Sequence, residues 1–295
     1  MNSLEKTTVY VNSGNICLAA YHWGVLDSKK EMIVLIHGYP DSAEVWEGIA
    51  QYLKFDFNVV AYDVRGTGLS DIPFTTQEYD FEYLVQDLSQ VISKISPNKP
   101  VHLVGHDWGA LQAWEAVLDD RLKDQVASYT AMAPSADHMG WWFKRQWAQK
   151  HYFSVIKRMV SSSYMPMLRI PVLPELTWRL GLHKVWPKAV SFLEKTQISV
   201  NSTQVRNAVS GLGLYRQNLL TRLYKPTLRK TSIPVYMLLM NQDPFVPVTL
   251  SLGMQEWVDN IEYDEVSGGH WGILSQPHII AEKIKDFINK TMINI

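Results

Sequence analysis

A single cysteine, Cys17, stands in 295 residues, so no internal disulfide can form and nothing in the fold requires an oxidising compartment. Nothing in its setting marks that thiol as a nucleophile, and it reads as structural. The start, Met1-Asn2-Ser3-Leu4-Glu5-Lys6, lacks the basic residues and apolar core of a signal peptide. A reducing cytosol is therefore expected, and a cytoplasmic location with it. The most apolar run, 233–240, falls far short of the roughly 20 residues that cross a bilayer and carries Pro234 near its start, so no transmembrane segment is predicted. Charge of one sign is missing too: 28 basic residues face 29 acidic ones, for a formal charge of -1. That balance gives no electrostatic footprint for nucleic acid or an anionic membrane and suits a neutral small molecule. Internal repeats and low-complexity stretches are absent, which excludes solenoids and disordered linkers. No His-Glu-x-x-His pattern or cysteine cluster offers metal ligands. Asp63-Val64-Arg65-Gly66-Thr67-Gly68 is a fragment of a glycine-rich loop without the third glycine of a dinucleotide fingerprint. No metal, nucleotide or other cofactor is expected.

What the chain does have is 46% hydrophobic content, enough for a sizeable core. Short apolar runs recur at 32–36, 59–62, 101–104, 126–131 and 235–240, without the polar alternation of a half-exposed strand, as expected of strands buried on both faces. Helical periods lie between them: Leu84, Leu88, Val91, Ile92 and Ile95 share a face, as do Leu111, Trp114 and Leu118, and later Ile280, Ile284, Phe287 and Ile288. Alternating strand and helix predict an α/β fold with a doubly wound, mostly parallel sheet, in which ligands bind beyond the carboxyl ends of the strands. The alternation breaks between about 134 and 231, where no buried strand is legible but Trp141, Trp142, Trp147, Tyr152, Phe153, Trp178 and Trp186 accumulate. A helical cap inserted late in the sheet is the expected reading, dividing the chain into a core of 1–133 and 232–295 and a cap of 134–231. Together those aromatics suggest an apolar, water-poor pocket.

Chemistry is concentrated at four strand ends. Gly105-His106-Asp107-Trp108-Gly109 follows the run 101–104 and precedes a helix, the strand-turn-helix setting of a nucleophile elbow. The turn lifts Asp107 to the top of the sheet at a helix start, where partial positive charge favours an anion. Taken alone, Asp107 is equally explained as a plain helix N-cap, Asp243 as a turn residue before proline and His270 as a surface-loop histidine. Their arrangement is not. Asn241-Gln242-Asp243-Pro244 follows the run 235–240, and Ser267-Gly268-Gly269-His270-Trp271 follows 261–266, giving the order nucleophile, acid, histidine of the α/β-hydrolases, with aspartate in place of serine. His37-Gly38-Tyr39-Pro40, just beyond 32–36, brings a backbone N-H to face the elbow, so that the N-H groups of Tyr39 and Trp108 form an oxyanion hole. His37 and His106 suit packing and hydrogen bonding of these loops. Asp137, just after 126–131, is an alternative position for the acid.

At this point nearly the whole chain resembles the epoxide hydrolase branch of the α/β-hydrolase superfamily. The likeness rests on the His37 to Pro40 motif, the Asp63 to Gly68 segment and the elbow Gly105 to Ala110. It implies an α/β-hydrolase fold, a cis Tyr39-Pro40 bond, and two cap tyrosines that donate hydrogen bonds to an epoxide oxygen. Gly213-Leu214-Tyr215-Arg216-Gln217-Asn218 resembles the family segment carrying one of them and nominates Tyr215. Tyr164, seven residues before Pro171, resembles the other, with Tyr152 and Tyr224 in reserve.

The expected reaction follows. Asp107 attacks an epoxide carbon while Tyr164 and Tyr215 stabilise the alkoxide, and His270, oriented by Asp243, activates water against the resulting ester. The product is a vicinal diol. The expected partner is a small apolar epoxide, acting on a monomer or homodimer. A haloalkane dehalogenase shares the Asp-His-acid logic, with Trp108 as a halide-binding indole, but does not need the tyrosine pair. A non-catalytic hydrolase-like receptor for a small ligand is the reading from another class, disfavoured by the intact Asp107, Asp243 and His270.

Overall fold

The structure is a computed structural model in which residues 6–198 and 201–293 are described; the stretch 1–5, where no leader was read, lies outside them. Eight strands, β1 (Lys6–Ser13), β2 (Ile16–Trp23), β3 (Met32–Ile36), β4 (Asn58–Tyr62), β5 (Val101–Gly105), β6 (Val126–Ala131), β7 (Val235–Met240) and β8 (Ile261–Val266), form one sheet in the order β1-β2-β4-β3-β5-β6-β7-β8. From β4 to β8 every pairing is parallel. The antiparallel β1-β2 hairpin pairs through β2 with β4 at one edge and was not among the apolar runs singled out as strands. It turns at Gly14, whose φ of +58° lies in the left-handed region where the missing Cβ removes the steric penalty.

Helices α1 (Glu47–Leu53), α2 (Phe81–Ile95) and α3 (Trp108–Val117) fill the crossovers up to β6. Between β6 and β7 the described residues form helices and no strand: α4 (Ala136–Ala148), α5 (Tyr152–Ser161), α6 (Tyr164–Arg169), α7 (Leu173–Thr177), α8 (His183–Glu194), α9 (Gln204–Gln217) and α10 (Leu219–Tyr224). Then α11 (Val248–Ser251) leads to β8, and α12 (Gly272–Ser275) and α13 (Pro277–Ile293) follow it. None of the described helices is long and apolar enough to cross a membrane.

The apolar periods land where the sheet needs cover. Leu84, Leu88, Val91 and Ile92 of α2 and Leu111 and Trp114 of α3 bury one face of the sheet, while Ile49 and Leu53 of α1 and Ile280, Ile284, Phe287 and Ile288 of α13 bury the other. Leu88 and Ile284 are wholly enclosed, and truncating either to alanine removes about 2–5 kcal/mol. Helix α2 starts where the Asp80 carboxylate accepts the N-H of Glu82 at 3.0 Å.

The helical segment between β6 and β7 is fastened to the sheet by buried polar groups. Asn218 accepts from the N-H of Phe81 and donates to the carbonyl of Tyr79, and Asn207 accepts from the N-H of Gly68 at 2.8 Å. Arg229 reaches back to Glu115 of α3 and Asp137 of α4, and Arg222 joins Glu115 at 3.0 Å. These contacts hold short helices over the carboxyl ends of β5 to β8, where the ligand site of such a sheet is expected.

Candidate active site

Between β5 and α3 the chain turns on Asp107, whose φ of 53° and ψ of -124° lie outside the regions open to ordinary side chains. Such a residue costs about 1–3 kcal/mol and persists only where its surroundings impose it. The flanking glycines are part of that imposition. A Cβ on Gly105 would lie 2.7 Å from the Cα of Ala110, and one on Gly109 would collide with the carbonyl of Ile36 on β3. The Asp107 carbonyl starts α3 by accepting from Ala110 and Leu111, so its side chain is free. Oδ1 accepts the backbone N-H of Tyr39 at 2.7 Å, while Oδ2 lies 3.5 Å from His270 Nε2. The N-H of Trp108 has no partner among the described residues, leaving a donor beside the carboxylate. The Tyr39-Pro40 bond is cis.

Beyond β7 and β8 the other two residues meet. His270 Nδ1 donates to Asp243 Oδ2 at 2.7 Å, while Asp243 Oδ1 accepts the N-H groups of Phe245 and Val246 at 2.6 and 2.9 Å. Both Asp243 oxygens are thus committed, which fixes the imidazole with Nε2 toward Asp107. Asp137 is elsewhere, buried under Arg229 and accepting the N-H of Thr227 at 2.9 Å. His106 lies behind, donating Nε2-H to the carbonyl of His270 at 2.7 Å, and burial lowers its pKa to about 4. His37 accepts the N-H of Val64 on Nε2 and turns Nδ1 to the carbonyl of Gly38. Both histidines brace loops.

Burial alone would discharge these groups, but their mutual arrangement prevails. Against burial, which lowers it, the carboxylates of Asp243 and Asp107 hold His270 well above the usual imidazole value. Against burial, which raises them, contact with His270 holds both Asp107 and Asp243 below the ordinary carboxylate value, the N-H of Tyr39 adding to the effect at Asp107. Each of the three groups thus favours the charged form of its neighbours.

Asp107 opens into a cavity of about 300 Å3 whose wall includes Trp108, Tyr164, Tyr215, Phe245 and Arg158. The Tyr215 ring meets Trp108 edge-on at 4.8 Å and Tyr39 at 5.2 Å, and Tyr164 meets Phe245 at 5.6 Å. Burial and the Asp107 charge push both phenols well above their ordinary value, so both keep their protons. Tyr152 and Tyr224 are exposed and lie off the wall. The aromatic run read as pocket lining needs correction: none of Trp141, Trp142, Trp147, Tyr152, Phe153, Trp178 or Trp186 lines this cavity. Trp147 and Phe153 face outward, because a helix laid over the sheet buries one side and leaves the other to solvent. Trp178 and Trp186 pack behind the site, Trp178 donating to the Tyr39 hydroxyl at 2.9 Å and Trp186 lying against Trp271.

Three contributors escape the sequence reading. Glu194 of α8 accepts the N-H of Trp271 at 2.9 Å and the Ser275 hydroxyl at 3.2 Å, pinning the His270 loop. Asp41, the residue after the cis proline, accepts the Trp271 indole N-H at 3.0 Å, and burial, reinforced by the Asp107 charge, raises it to about 7. Arg158 enters the cavity from α5. None belongs to a recognisable motif.

The family model described as alpha/beta hydrolase fold matches residues 31–165. Among curated proteins, the chain is 30% identical over 282 residues to the "Probable oxidoreductase EphD" of Mycobacterium tuberculosis, covering 92% of this chain and 47% of that protein. It thus spans about half the length of that relative. It is 24% identical over 282 residues to "Epoxide hydrolase 3" of Xenopus tropicalis, covering 90% of this chain and 73% of that one. Among solved structures, a mutant epoxide hydrolase from Bacillus megaterium complexed with its diol product aligns with a TM-score of 0.76 at 23% identity, over 95% of this chain and 100% of that one. Epoxide Hydrolase A from Mycobacterium thermoresistibile aligns at 0.74 and 18% identity, over 97% and 98%.

Proposed function

We propose, from the premise that this chain is an α/β-hydrolase by fold, that it converts epoxides and water to vicinal diols through an ester on Asp107. The observation that carries this reading is the carboxylate at the elbow: Oδ1 rests on the Tyr39 N-H, Oδ2 faces His270 Nε2, and two protonated phenols share its cavity. The helices between β6 and β7 act as a cap that encloses the substrate.

An epoxide is strained, but its alkoxide leaves poorly, so ring opening needs donors at the oxygen. Tyr164 and Tyr215 supply them. An Asp107 oxygen forms a bond to one epoxide carbon as the C-O bond to that carbon breaks, and the alkoxide takes one proton from a cap phenol, which regains it from His270 and leaves the imidazole neutral. Oδ1, held by the Tyr39 N-H, is placed to remain as the ester carbonyl oxygen. Alkylation also removes the Asp107 charge, one of the two that keep His270 protonated. The neutral imidazole is therefore favoured once the ester has formed, which leaves Nε2 free to accept a proton from water. His270 then takes a proton from water, which attacks the ester carbon, and the N-H groups of Tyr39 and Trp108 hold the oxyanion. Collapse expels the diol and regenerates the carboxylate.

The word oxidoreductase belongs to a relative of which more than half lies outside the match. This chain's Asp63 to Gly68 segment lacks the third glycine of a dinucleotide site. A panel of aryl and aliphatic epoxides and haloalkanes, assayed for diol and halide in parallel, tests the proposal. Diol without halide is expected. Halide without diol would make the protein a dehalogenase, and ligand binding with neither product would make it a receptor.

A further inference from the structure

Helix α5 turns most of its apolar side chains outward and pairs an arginine with Val155 on its buried side. Phe153, Ile156 and Val160 face solvent with 79%, 58% and 68% of their surface exposed, while Arg158 is 6% exposed. Apolar side chains normally turn inward and arginine outward, so this orientation forfeits hydrophobic burial and desolvates a cation. Among the described residues no carboxylate hydrogen-bonds or ion-pairs with the guanidinium, and Asp243 attracts it only at longer range. Its Nε donates to the Ser162 hydroxyl at 2.9 Å, and Nη2 is buried without a partner among the described residues. Buried arginine is ordinarily paired with a carboxylate. Arg158 instead lines the cavity that holds Asp107.

The remaining charges on that wall sharpen the imbalance. Arg169 also lines it, and its Nη1 donates to the carbonyls of Tyr215 and Arg216 at 2.6 and 3.0 Å, which satisfies hydrogen bonds but leaves the charge. Among the described residues lining the cavity, Asp107 is the one carboxylate, and it becomes a neutral ester when alkylated. Two arginines then share an otherwise apolar chamber with no anion. A substrate bringing its own anion restores the balance, and a guanidinium with free N-H groups is the side chain best shaped to hold one.

We propose that Arg158 is a specificity-determining residue that binds an anionic group of the substrate, so that the preferred epoxides carry a carboxylate or comparable anion at the end of an apolar chain. The proposal rests on the epoxide hydrolase reading, and two readouts separate them. In the first, terminal epoxides bearing a carboxylate at the far end, over a series of chain lengths, are compared with their methyl esters. The wild type should favour the acid roughly tenfold or more in kcat/KM at its best chain length, the discrimination expected of a charged hydrogen bond. Arg158→Met should lower kcat/KM for the acid on the order of tenfold more than for the ester, and Arg158→Lys should keep part of the preference. Acid and ester turned over equally by the wild type would overturn the proposal. So would an equal loss on both in Arg158→Met, which would assign Arg158 to stabilising the alkoxide beside Tyr164.

The second readout needs no turnover: binding of decanoate and of decanamide, measured by calorimetry. Decanoate should bind the wild type at least tenfold more tightly, and Arg158→Met should remove the difference. If it does so while no epoxide is hydrolysed, the anion site stands and the epoxide reading fails. If epoxides are hydrolysed but decanoate has no advantage, the anion site fails alone. Should Arg158→Met not fold, the wild-type acid-to-ester ratio and the binding pair decide by themselves.

Discussion

On the sheet side of the cavity, Asp107, Asp243 and His270 sit in loops at strand ends, each fixed by backbone donors or charged partners at 2.6 to 3.5 Å. On the helix side, Tyr164, Tyr215 and Arg158 project from α6, α9 and α5, and α5 exposes apolar residues while burying a cation. The difference separates two tasks. Rigid strand ends hold a constellation whose geometry must be exact to a fraction of an ångström, whereas short helices can vary what they present to the substrate without disturbing it. Substitutions on the sheet side should therefore abolish a chemical step, and those on the helix side should slow ring opening or change which substrate enters.

The largest effect should belong to Asp107, the proposed nucleophile. Asp107→Ala should remove diol formation by a factor on the order of 10^4 or more and leave no covalent adduct; wild-type turnover there would rule the nucleophile out. His270→Ala should separate the two steps, because alkylation needs Asp107 and the phenols while hydrolysis needs the base. An added epoxide should then raise the protein mass by one substrate, located on Asp107 by peptide mapping, and a variant that binds substrate but gains no mass would contradict the order of steps. Asp243→Asn should slow ester hydrolysis on the order of 10^3 to 10^4-fold through loss of tautomer control. Asp137→Asn should instead cost about 1–3 kcal/mol of stability by weakening the Arg229 cluster and leave turnover per folded molecule intact; the reverse pattern would move the acid to Asp137.

The helix side is expected to respond more weakly. Tyr164→Phe and Tyr215→Phe keep the rings and their edge-on contacts, so each should lower the alkylation rate about 100-fold, as for loss of one oxyanion donor, with much less effect on ester hydrolysis. Single-turnover kinetics resolves the two, and unchanged alkylation in both variants would reduce the phenols to packing. Smallest is the pH dependence of stability. His270 has a folded value above its ordinary one, so its stabilising contribution is complete below about pH 6.5 and is lost as pH rises through the folded value. Asp107 and Asp243 have depressed folded values, so theirs is complete above about pH 4 and is lost on acidification through those values. The Tm advantage of wild type over His270→Ala should thus be greatest near pH 5–6 and shrink toward alkaline pH, measured by thermal unfolding across that range.

The same division governs how much of the molecule could be read without coordinates. Strands such as 32–36 and 101–104 announce themselves because burial on both faces demands an unbroken apolar run, and the elbow does because its backbone tolerates only glycine at the tight positions. The edge strand β1 did not, since it alternates exposed Thr8 and Tyr10 with Val9 and Val11, whereas β2 carries the apolar run Ile16 to Tyr21 and was legible but passed over. Tyr164 and Tyr215 were legible by resemblance alone. The aromatic richness of 141–186 was misleading, because large apolar side chains on short helices cover the outside as well as the inside. Arg158 was silent for the opposite reason: arginine in sequence reads as surface, and only its spacing with Val155 and Ser162 on the helix YFSVIKRMVS hints at an inward face. Glu194 acts through the loop it pins, a relation spanning 77 residues from Trp271 that no local pattern encodes.

The central claim is that oxygen reaches the diol through Asp107 rather than directly from water. A single turnover of excess enzyme on an epoxide in 18O-labelled water tests it most directly, with the diol and the peptide containing Asp107 weighed separately. The expected result is an unlabelled diol and one labelled oxygen in the Asp107 carboxylate, since water attacks the ester carbon and the original aspartate oxygen leaves with the product. Label in the diol of that first turnover, with an unlabelled Asp107, would contradict the account and make Asp107 a base for direct hydration.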